Sequence, residues 1–347
     1  MSDDSRRARH RSSRWLRSAA RAAGTAEHVL AGAAAPLRNT GFPYRRPTVP
    51  RGVVVPAAPP TLGADYDTDW ARTPVAKAAR HLIVAAPQRL LIDLIADPEI
   101  HGHDRLADLL RSADDSEGIP PAVIFAPNHH SHLDTALMVR AVPAAWRQHV
   151  VTAAAADYFF DKRWKATLAA LALNAIPVDR EATSRRSADL MSGLLADNWS
   201  LVIYPEGGRS PDGWGQTFKG GAAYLAGRTG APVVPVYIDG TDSIMGKGTN
   251  VPKPGRTRVT FGSPLHRRPD ESTRRFNERI AIGVATLADE STSDYWSARR
   301  RAAQGATPTL MGPGYTGWRR RWALADRRRR GIAGWRKPAR RRWPDLG

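Results

Sequence analysis

A histidine and an aspartate stand five positions apart in the segment 128–134, whose sequence is NHHSHLD. Asp134 can hydrogen-bond one ring nitrogen of His129, which fixes the tautomer and leaves the other nitrogen free as a base. Residues five apart on an ideal helix point in different directions. The pair can therefore meet only if His129 lies in a turn and Asp134 in the first turn of a helix. No convincing side-chain nucleophile lies nearby, so the pattern suggests that the substrate supplies the attacking hydroxyl.

Two other interpretations of this segment are open. Ser131 and Asp134 have the spacing of a capping box, in which the carboxylate only satisfies free amides at a helix start. The histidines at 129, 130 and 132 could also bind a metal together with Asp134, as in a metal-dependent hydrolase. Adjacent histidines on one turn rarely converge on one ion.

The flanking segments predict that these residues lie at the edge of a sheet. Residues 122–127 are an apolar run that ends at a proline, which is typical of a buried strand. Residues 135–142 are apolar without a helix breaker and predict a helix. The polar turn thus follows the carboxyl end of a strand, where open α/β sheets build their active sites.

A second polar segment, EGGRS at 206–210, follows another predicted strand at 201–205. Its two glycines let the backbone approach a ligand closely and offer amides to an anion. Arg209 supplies a planar fork suited to phosphate, and Lys219 places a cation near the start of a further predicted helix. The pattern suggests a phosphate site, and a plain turn is the competing interpretation.

The remaining periodic segments complete an alternating pattern. Further strands are predicted at 149–155, 174–180, 232–238 and 258–262, and helices at 164–173, 188–198, 220–227 and 272–289. Alternation of this kind predicts an α/β fold with a doubly wound, mostly parallel sheet flanked by helices.

An apolar helical region precedes this sheet. Pro74 suits a helix start, and Pro87 should kink or divide the helix, so residues 73–98 are predicted to form an N-terminal helical hairpin. Cationic residues interrupt its apolar surface. Packing on the core is one interpretation, and a position in the bilayer interface is the other.

Charge divides the chain into three parts. Residues 1–52 carry a net charge of +8 and residues 297–347 a net charge of +13, which leaves −2 on the middle of a chain whose total is +19. We predict a mobile basic arm over 1–72, a folded domain over 73–296 with its α/β core at 99–296, and a basic tail rich in Arg and Trp over 297–347. Basic tails bind polyanions, either anionic lipid or nucleic acid.

The composition excludes several classes of site. The chain has no cysteine, so disulfides, thiolate metal sites and cysteine nucleophiles are ruled out. No apolar stretch is long enough to predict a spanning helix, and no signal peptide is recognisable. The expected location is peripheral, on the cytoplasmic face of the cell membrane.

Four short blocks together resemble the glycerolipid acyltransferases, the superfamily of the 1-acylglycerol-3-phosphate acyltransferases. The first block, Asn-His-x-x-x-x-Asp, corresponds to residues 128–134, and the second ends in the Pro–Val–Asp–Arg of 177–180. The third corresponds to 205–210 and the fourth to the apolar, proline-containing strand around 234–236. The resemblance covers about residues 75–290 and neither tail.

The resemblance implies an acyltransferase that needs no cofactor and no metal. The donor would be an acyl thioester, on coenzyme A or acyl carrier protein, and a hydroxyl of a lysolipid or glycerol phosphate would attack it. His129 would remove the hydroxyl proton and Asp134 would orient the imidazolium. Backbone amides of the motif turns would hold the oxyanion.

Substrate-binding roles are carried over from the blocks and their neighbours. The residues concerned are Asn128, Ser131, Arg180, Glu206, Gly207, Gly208, Arg209 and Lys219. Arg180, Arg209 and Lys219 would bind the acceptor phosphate. Gly208 departs from the family pattern, which has threonine there, and this leaves the acceptor preference open among lysophosphatidate, other lysophospholipids and glycolipids. A nucleic-acid-binding protein built on the tails is a rival that the four blocks argue against.

Overall fold

Seven strands form one sheet in the computed structural model, which describes residues 62–111, 119–179, 185–210, 212–246 and 251–312 (for 83–86, the backbone only). The strands are β1 Pro98–His101, β2 Ile124–Pro127, β3 Val150–Ala155, β4 Ala175–Val178, β5 Ser200–Val202, β6 Val233–Asp239 and β7 Thr257–Phe261. Their order across the sheet is β1-β7-β6-β2-β5-β3-β4.

Five neighbouring strands, from β6 to β4 in that order, run parallel to one another. The pair β6 and β7 is antiparallel, and β1 joins β7 in parallel at the far edge. The carboxyl ends of the five parallel strands therefore share one edge of the sheet. The first and third sequence blocks follow β2 and β5, which are direct neighbours, so the fold brings these blocks together.

Helices connect the strands. They are α1 Pro74–Ala79, α2 Ala86–Ala96, α3 Ala107–Arg111, α4 Leu133–Ala141, α5 Ala156–Phe159, α6 Arg163–Leu173, α7 Arg185–Ala196, α8 Gly221–Thr229, α9 Thr241–Met245, α10 Thr273–Thr292 and α11 Tyr295–Ala303. Short 3₁₀ helices lie at Gly63–Asp65, Asp69–Arg72 and His103–Leu106.

Hydrophobic cores lie on both faces of the sheet. Successive residues of a strand point to opposite faces, and Phe125 of β2 packs in one core with α2 and α4 while Ile124 packs in the other with α7, α8 and α10. The predicted mostly parallel sheet flanked by helices is thus confirmed. Strand β1 was not predicted, because PEIH is short, polar and lies at an edge.

The helical region before the sheet is continuous from 74 to 96. A π-helical segment, Arg80–Ala85, joins α1 to α2 directly before Pro87. Proline has no N–H for the carbonyl one turn earlier, which accounts for the change of helix type before Pro87, whereas the predicted kink or division of the helix there stays a prediction. No turn separates the segments, and the helical hairpin itself stays a prediction. Several apolar side chains of this region are exposed, among them Val75, Leu82 and Leu94.

Both predicted boundaries of the folded domain need correction. Residues 62–72 were assigned to a mobile arm, yet Gly63 donates a backbone hydrogen bond to Phe160 and Tyr66 packs on the Phe160 ring. The boundary at 296/297 falls inside α11, where Ala298 is buried and Arg301 forms a two-point ion pair with Asp289 at 2.6 and 2.7 Å. The described fold continues to 312, while the rest of the predicted arm and tail lies outside the described residues.

Within the part of the chain that the structure describes, no helix has the length and apolar character needed to cross a membrane.

Candidate active site

His129 and Asp134 meet at the carboxyl end of β2. His129 lies in the turn after the strand and Asp134 is the second residue of α4, so the five-residue spacing closes a contact of 2.9 Å between Nδ1 and Oδ2. Asp134 is fully buried and His129 is partly exposed. A carboxylate only accepts, so Nδ1 donates and Nε2 is left as the atom that can take a proton.

The same carboxylate oxygen also begins the helix. Oδ2 of Asp134 accepts the amide N–H of His130 at 2.7 Å and of Ser131 at 2.8 Å. Burial alone would raise the pKa of Asp134, but the hydrogen bond and charge of His129, the Ser131 amide and the Thr241 hydroxyl hold it below its usual value. The capping and dyad interpretations therefore describe one arrangement, in which amides and imidazole share an ionised carboxylate.

Tyr204 supports the imidazole from one side. Its ring stacks on His129 with centroids 4.1 Å apart, and its hydroxyl donates to Thr135 Oγ1 at 3.1 Å. Burial raises the pKa of this phenol well above its usual value, and the charge of Asp134 adds to the rise. Tyr204 therefore stays neutral and restricts the rotation of His129.

Asn128 and Ser131 make framework contacts in the turn, and their substrate-binding role stays a prediction. The Asn128 side chain donates to the Ile238 carbonyl at 2.8 Å and accepts the Ile238 amide at 2.7 Å, so it extends the pairing of β2 with β6 beyond Pro127. Ser131 is fully buried, and its hydroxyl donates to the Met245 carbonyl at 2.6 Å. Both side chains fix the turn that carries His129.

Glu206 connects the first and third blocks. One carboxylate oxygen accepts the amide of His129 at 3.0 Å and the other accepts the amide of Gln216 at 2.9 Å. Burial raises the pKa of Glu206 to about 7, against the lowering effect of these two amides, and the charge of Asp134 adds to the rise. The side chain is buried and accepts two backbone amides, so it holds two loops together, and its predicted substrate-binding role stays a prediction.

The Lys219 side chain lies directly against the backbone of Gly207. Its φ is +69°, and a Cβ there would lie 2.7 Å from Lys219 Cε and 2.8 Å from Nζ. Glycine is favoured here by its left-handed backbone, and any larger residue would also displace the flexible end of the Lys219 side chain. The Lys219 amide donates to the Pro205 carbonyl at 2.7 Å, which ties the Lys219 backbone to the same loop.

Arg209 lines a groove that opens at the dyad. Among the described residues its guanidinium makes no hydrogen bond or ion pair, whereas His129, Gly207 and Gly208 lie in the same wall. The groove holds about 880 Å³, including its open mouth. Most of its other lining residues are apolar or aromatic, namely Ala153, Ala154, Ala155, Tyr158, Phe159, Leu173, Val178 and Ile203. An unpaired cation and an apolar channel therefore flank one imidazole.

The remaining candidate residues are Arg180, His130 and His132. Arg180 lies outside the described residues. His132 stacks on Tyr158 with centroids 4.9 Å apart, at the rim of the groove, whereas His130 is buried and lines a different pocket. Within the described residues no group of three His, Cys, Asp or Glu side chains comes together in a way that could hold a metal ion. The three histidines point to separate surroundings.

Three contributing residues were missed from the sequence. Tyr204 directly precedes the third block, and its place between strand and motif was an available signal. Thr241 reaches Asp134 from the segment after β6, and Gln216 lies beyond the third block. Neither Thr241 nor Gln216 belongs to a recognisable pattern, so only the fold reveals them.

The chain is similar to known acyltransferases. Residues 99–239 match the family model described as Acyltransferase. The 1-acyl-sn-glycerol-3-phosphate acyltransferase LPAT1, chloroplastic, of Arabidopsis thaliana is 40% identical over 74 residues, which are 21% of this chain and 21% of that protein. The enzyme BAT2 of Brassica napus, with the same activity in its name, is 41% identical over 74 residues, 21% of this chain and 22% of that protein.

The matches are local. The chain spans about a fifth of the length of these curated relatives. Among solved structures, the 1-acyl-sn-glycerophosphate (LPA) acyltransferase PlsC of Thermotoga maritima is 23% identical, with 66% of this chain and 84% of that chain covered and a TM-score of 0.46. The family match and the named relatives confirm the resemblance predicted from the four blocks.

Proposed function

We propose that the protein transfers a fatty acyl group from an acyl thioester to a hydroxyl of a lysophospholipid or glycerol-phosphate acceptor, because residues 99–239 match the family model described as Acyltransferase. The favoured acceptor is 1-acylglycerol-3-phosphate, the substrate in the names of the relatives. The observation that carries the proposal is the His129–Asp134 contact of 2.9 Å beside a groove that is lined by apolar residues and by Arg209.

The proposed reaction needs no covalent acyl-enzyme. The acceptor hydroxyl oxygen attacks the thioester carbonyl carbon while Nε2 of His129 takes its proton. The tetrahedral intermediate collapses as the carbon–sulfur bond breaks, and the imidazolium returns the proton to the leaving thiolate. Asp134 remains ionised and stabilises the imidazolium. The products are an ester and a free thiol of coenzyme A or acyl carrier protein.

The backbone limits which amides can stabilise the oxyanion. Those of His129, His130 and Ser131 already donate to Glu206 or Asp134, so the first motif turn has none to offer at these positions. Among the described residues, the amides of Gly208 and Arg209 have no recorded acceptor. We therefore assign oxyanion stabilisation to the loop of the third block.

The apolar groove and the cationic side chains are proposed to bind different parts of the substrates. The apolar wall formed by residues such as Phe159, Leu173 and Val178 suits an acyl chain, since burial of each methylene contributes about 0.8 kcal/mol. Arg209 and Lys219, with Arg180 from the second block, are proposed to bind the acceptor phosphate. The absence of a side chain at Gly208 leaves space at this position for the acceptor headgroup.

A donor-by-acceptor panel tests the function. Acyl-CoA and acyl-carrier-protein donors are each offered lysophosphatidate, other lysophospholipids, glycerol 3-phosphate and a glycolipid, and products are identified by mass spectrometry. Acylation of a phosphate-bearing acceptor supports the proposal. Acylation of the glycolipid alone would favour another lipid as acceptor. Hydrolysis without transfer, with stoichiometric metal found by elemental analysis, would favour the metal-dependent hydrolase.

Arg209→Ala is expected to raise the apparent KM for a phosphorylated acceptor roughly tenfold or more, because charge-assisted hydrogen bonds contribute about 1.5–3 kcal/mol each. The KM for the acyl donor should change little. Arg209→Lys should rescue only part of the loss, since an ammonium group cannot replace the planar fork. Steady-state kinetics with each substrate varied checks this, and an unchanged acceptor KM would indicate an acceptor without phosphate.

We also propose that the protein binds anionic membranes through its basic tail and exposed apolar helix. Residues 313–347 hold eleven arginines and Lys337 against two aspartates, with four tryptophans among them. Each cation near an anionic surface contributes about 1 kcal/mol, and tryptophan favours the interface. Exposed Leu90 and Leu94 on α2 and Trp296 on α11 add apolar surface.

Removal of 313–347 is expected to weaken binding to anionic vesicles more than to neutral ones, with a difference that shrinks at high salt. The truncation keeps α11 and residues 304–312, because these pack on the domain. Activity on a short-chain acceptor dispersed in detergent should be largely retained. Vesicle sedimentation in competition with duplex DNA is the measurement, and preference for DNA with unchanged vesicle binding after truncation would contradict the proposal.

A further inference from the structure

Gln216 makes two contacts with the loop that carries Arg209, although it lies outside the four blocks. Its amide N–H donates to Glu206 Oε2 at 2.9 Å, and its side-chain Nε2 donates to the Gly208 carbonyl at 2.9 Å. One residue therefore holds positions 206 and 208, on both sides of Gly207. Gly207 has φ +69°, a conformation that its neighbours have to maintain.

The orientation of the Arg209 side chain depends on the backbone of this loop. Its guanidinium has no partner among the described residues, so its direction is set by the loop alone. Gly208, directly before it, has no side chain with which to fix its own peptide plane. The hydrogen bond from Gln216 to the Gly208 carbonyl is the side-chain contact that orients the peptide group entering Arg209.

Gln216 is itself held from the other side. The Ser210 hydroxyl donates to the Trp214 carbonyl at 2.6 Å and accepts the Gly213 amide at 2.8 Å. The Gly215 amide donates to the Leu310 carbonyl at 2.9 Å. The loop 213–216 is thus anchored at both ends, and Gln216 is a rigid donor.

We propose that Gln216 is a positioning residue for the acceptor phosphate, acting through the Gly208 carbonyl on Arg209. The inference rests on the proposed function and deepens it, because it names a residue that determines acceptor affinity without contacting the acceptor. Gln216 does not line the groove, so donor affinity should not depend on it.

Gln216→Met tests this, because it keeps the length of the side chain and the backbone hydrogen bond to Glu206 while removing the donor to Gly208. The acceptor KM is expected to rise roughly 3- to 10-fold, the factor that one net hydrogen bond supplies. The donor KM should stay unchanged, a split between the two substrates that general loss of structure would not produce. Thr217→Val is the matched control, since the exposed Thr217 hydroxyl reaches, among the described residues, only Met311 Sδ at 3.6 Å.

A double mutant separates positioning from a merely structural role. In the Arg209→Ala background, Gln216→Met should add no further increase in acceptor KM, because the residue through which it acts is gone. An unchanged acceptor KM in the single variant, or an equal increase in the Arg209→Ala background, would overturn the inference. If Gln216→Met failed to fold, Gln216→Asn, which is too short to reach the carbonyl, would give the same comparison. Absence of transfer by the unaltered protein to every acceptor would instead reject the proposed function.

Discussion

Replacement of His129 by alanine is expected to lower the rate of acyl transfer by about 10²–10⁴-fold, the contribution of a positioned general base. The loss should appear in kcat, because in the proposed reaction His129 takes the acceptor proton in the transition state. The fold should be retained, since the turn is held by Asn128, Ser131 and Glu206 through contacts that do not use the imidazole ring. Single-turnover kinetics and an unfolding midpoint measure both quantities.

His132→Ala is the matched comparison for this variant. His132 lies at the groove rim and stacks on Tyr158, so its loss should disturb substrate entry mildly and leave the chemical step intact. His130→Ala should also be milder in rate. If His130→Ala were as inactive as His129→Ala and a bound metal were lost with it, the metal-dependent hydrolase would be the better account.

Asp134→Asn is expected to lower kcat by roughly 10³–10⁴-fold, the effect of losing the carboxylate that fixes a catalytic histidine. The asparagine carbonyl can still accept the amides of His130 and Ser131, so the start of α4 should form. What is lost is the negative charge that stabilises the imidazolium and the preference for donation from Nδ1. The site would then hold a histidine in the wrong tautomer.

The pre-steady-state rate with a saturating donor is the appropriate measurement for Asp134→Asn, together with circular dichroism to establish that the fold is intact. Asp134→Glu is a useful control, because it keeps the charge and displaces it by one methylene in a fully buried position. Retention of more than a tenth of the activity by Asp134→Asn would show that the carboxylate only caps the helix.

The parts of the fold that could be predicted from the sequence are those with strong periodicity. The apolar run before Asn128 and the run that begins at Leu201 both contribute buried central strands, because short apolar runs that end at turn residues suit the interior of a sheet. Strand β1 escaped because its four residues alternate between partly buried and exposed. Its pairing with β7 joins residues far apart in the chain, which no local pattern encodes.

The residues of the candidate site could be predicted from the sequence, but the contacts that several of them make could not. The spacing of His129 and Asp134 led correctly to their contact because a turn followed by a helix allows a single geometry. Asn128, Ser131 and Glu206 were expected to bind substrate, yet their partners are backbone groups of Ile238, Met245 and Gln216. Which partner a buried polar side chain takes is decided by distant segments that arrive only in the folded state.

The domain ends were misplaced for a related reason. Composition separates basic from neutral segments, but it does not detect a helix that carries arginines on one face and a buried Ala298 on the other. The Arg301–Asp289 pair uses one of the charges that were counted toward the tail. Charge density marks a boundary only where the charges have no partners in the fold.

The ionisation of Glu206 makes the free energy of unfolding depend on pH. Its pKa is raised from the ordinary 4.5 to about 7, so between these values the folded protein keeps a proton that the unfolded chain releases. Stability from this group is therefore fully present below pH 4.5 and is lost as the pH rises to 7. The loss amounts to about 3 kcal/mol, at 1.36 kcal/mol per pKa unit. Near neutral pH an imidazole can act as a base. In the same pH range Glu206 loses its proton. The resulting carboxylate accepts the amides of His129 and Gln216 most strongly, but burial in the fold destabilises its charge.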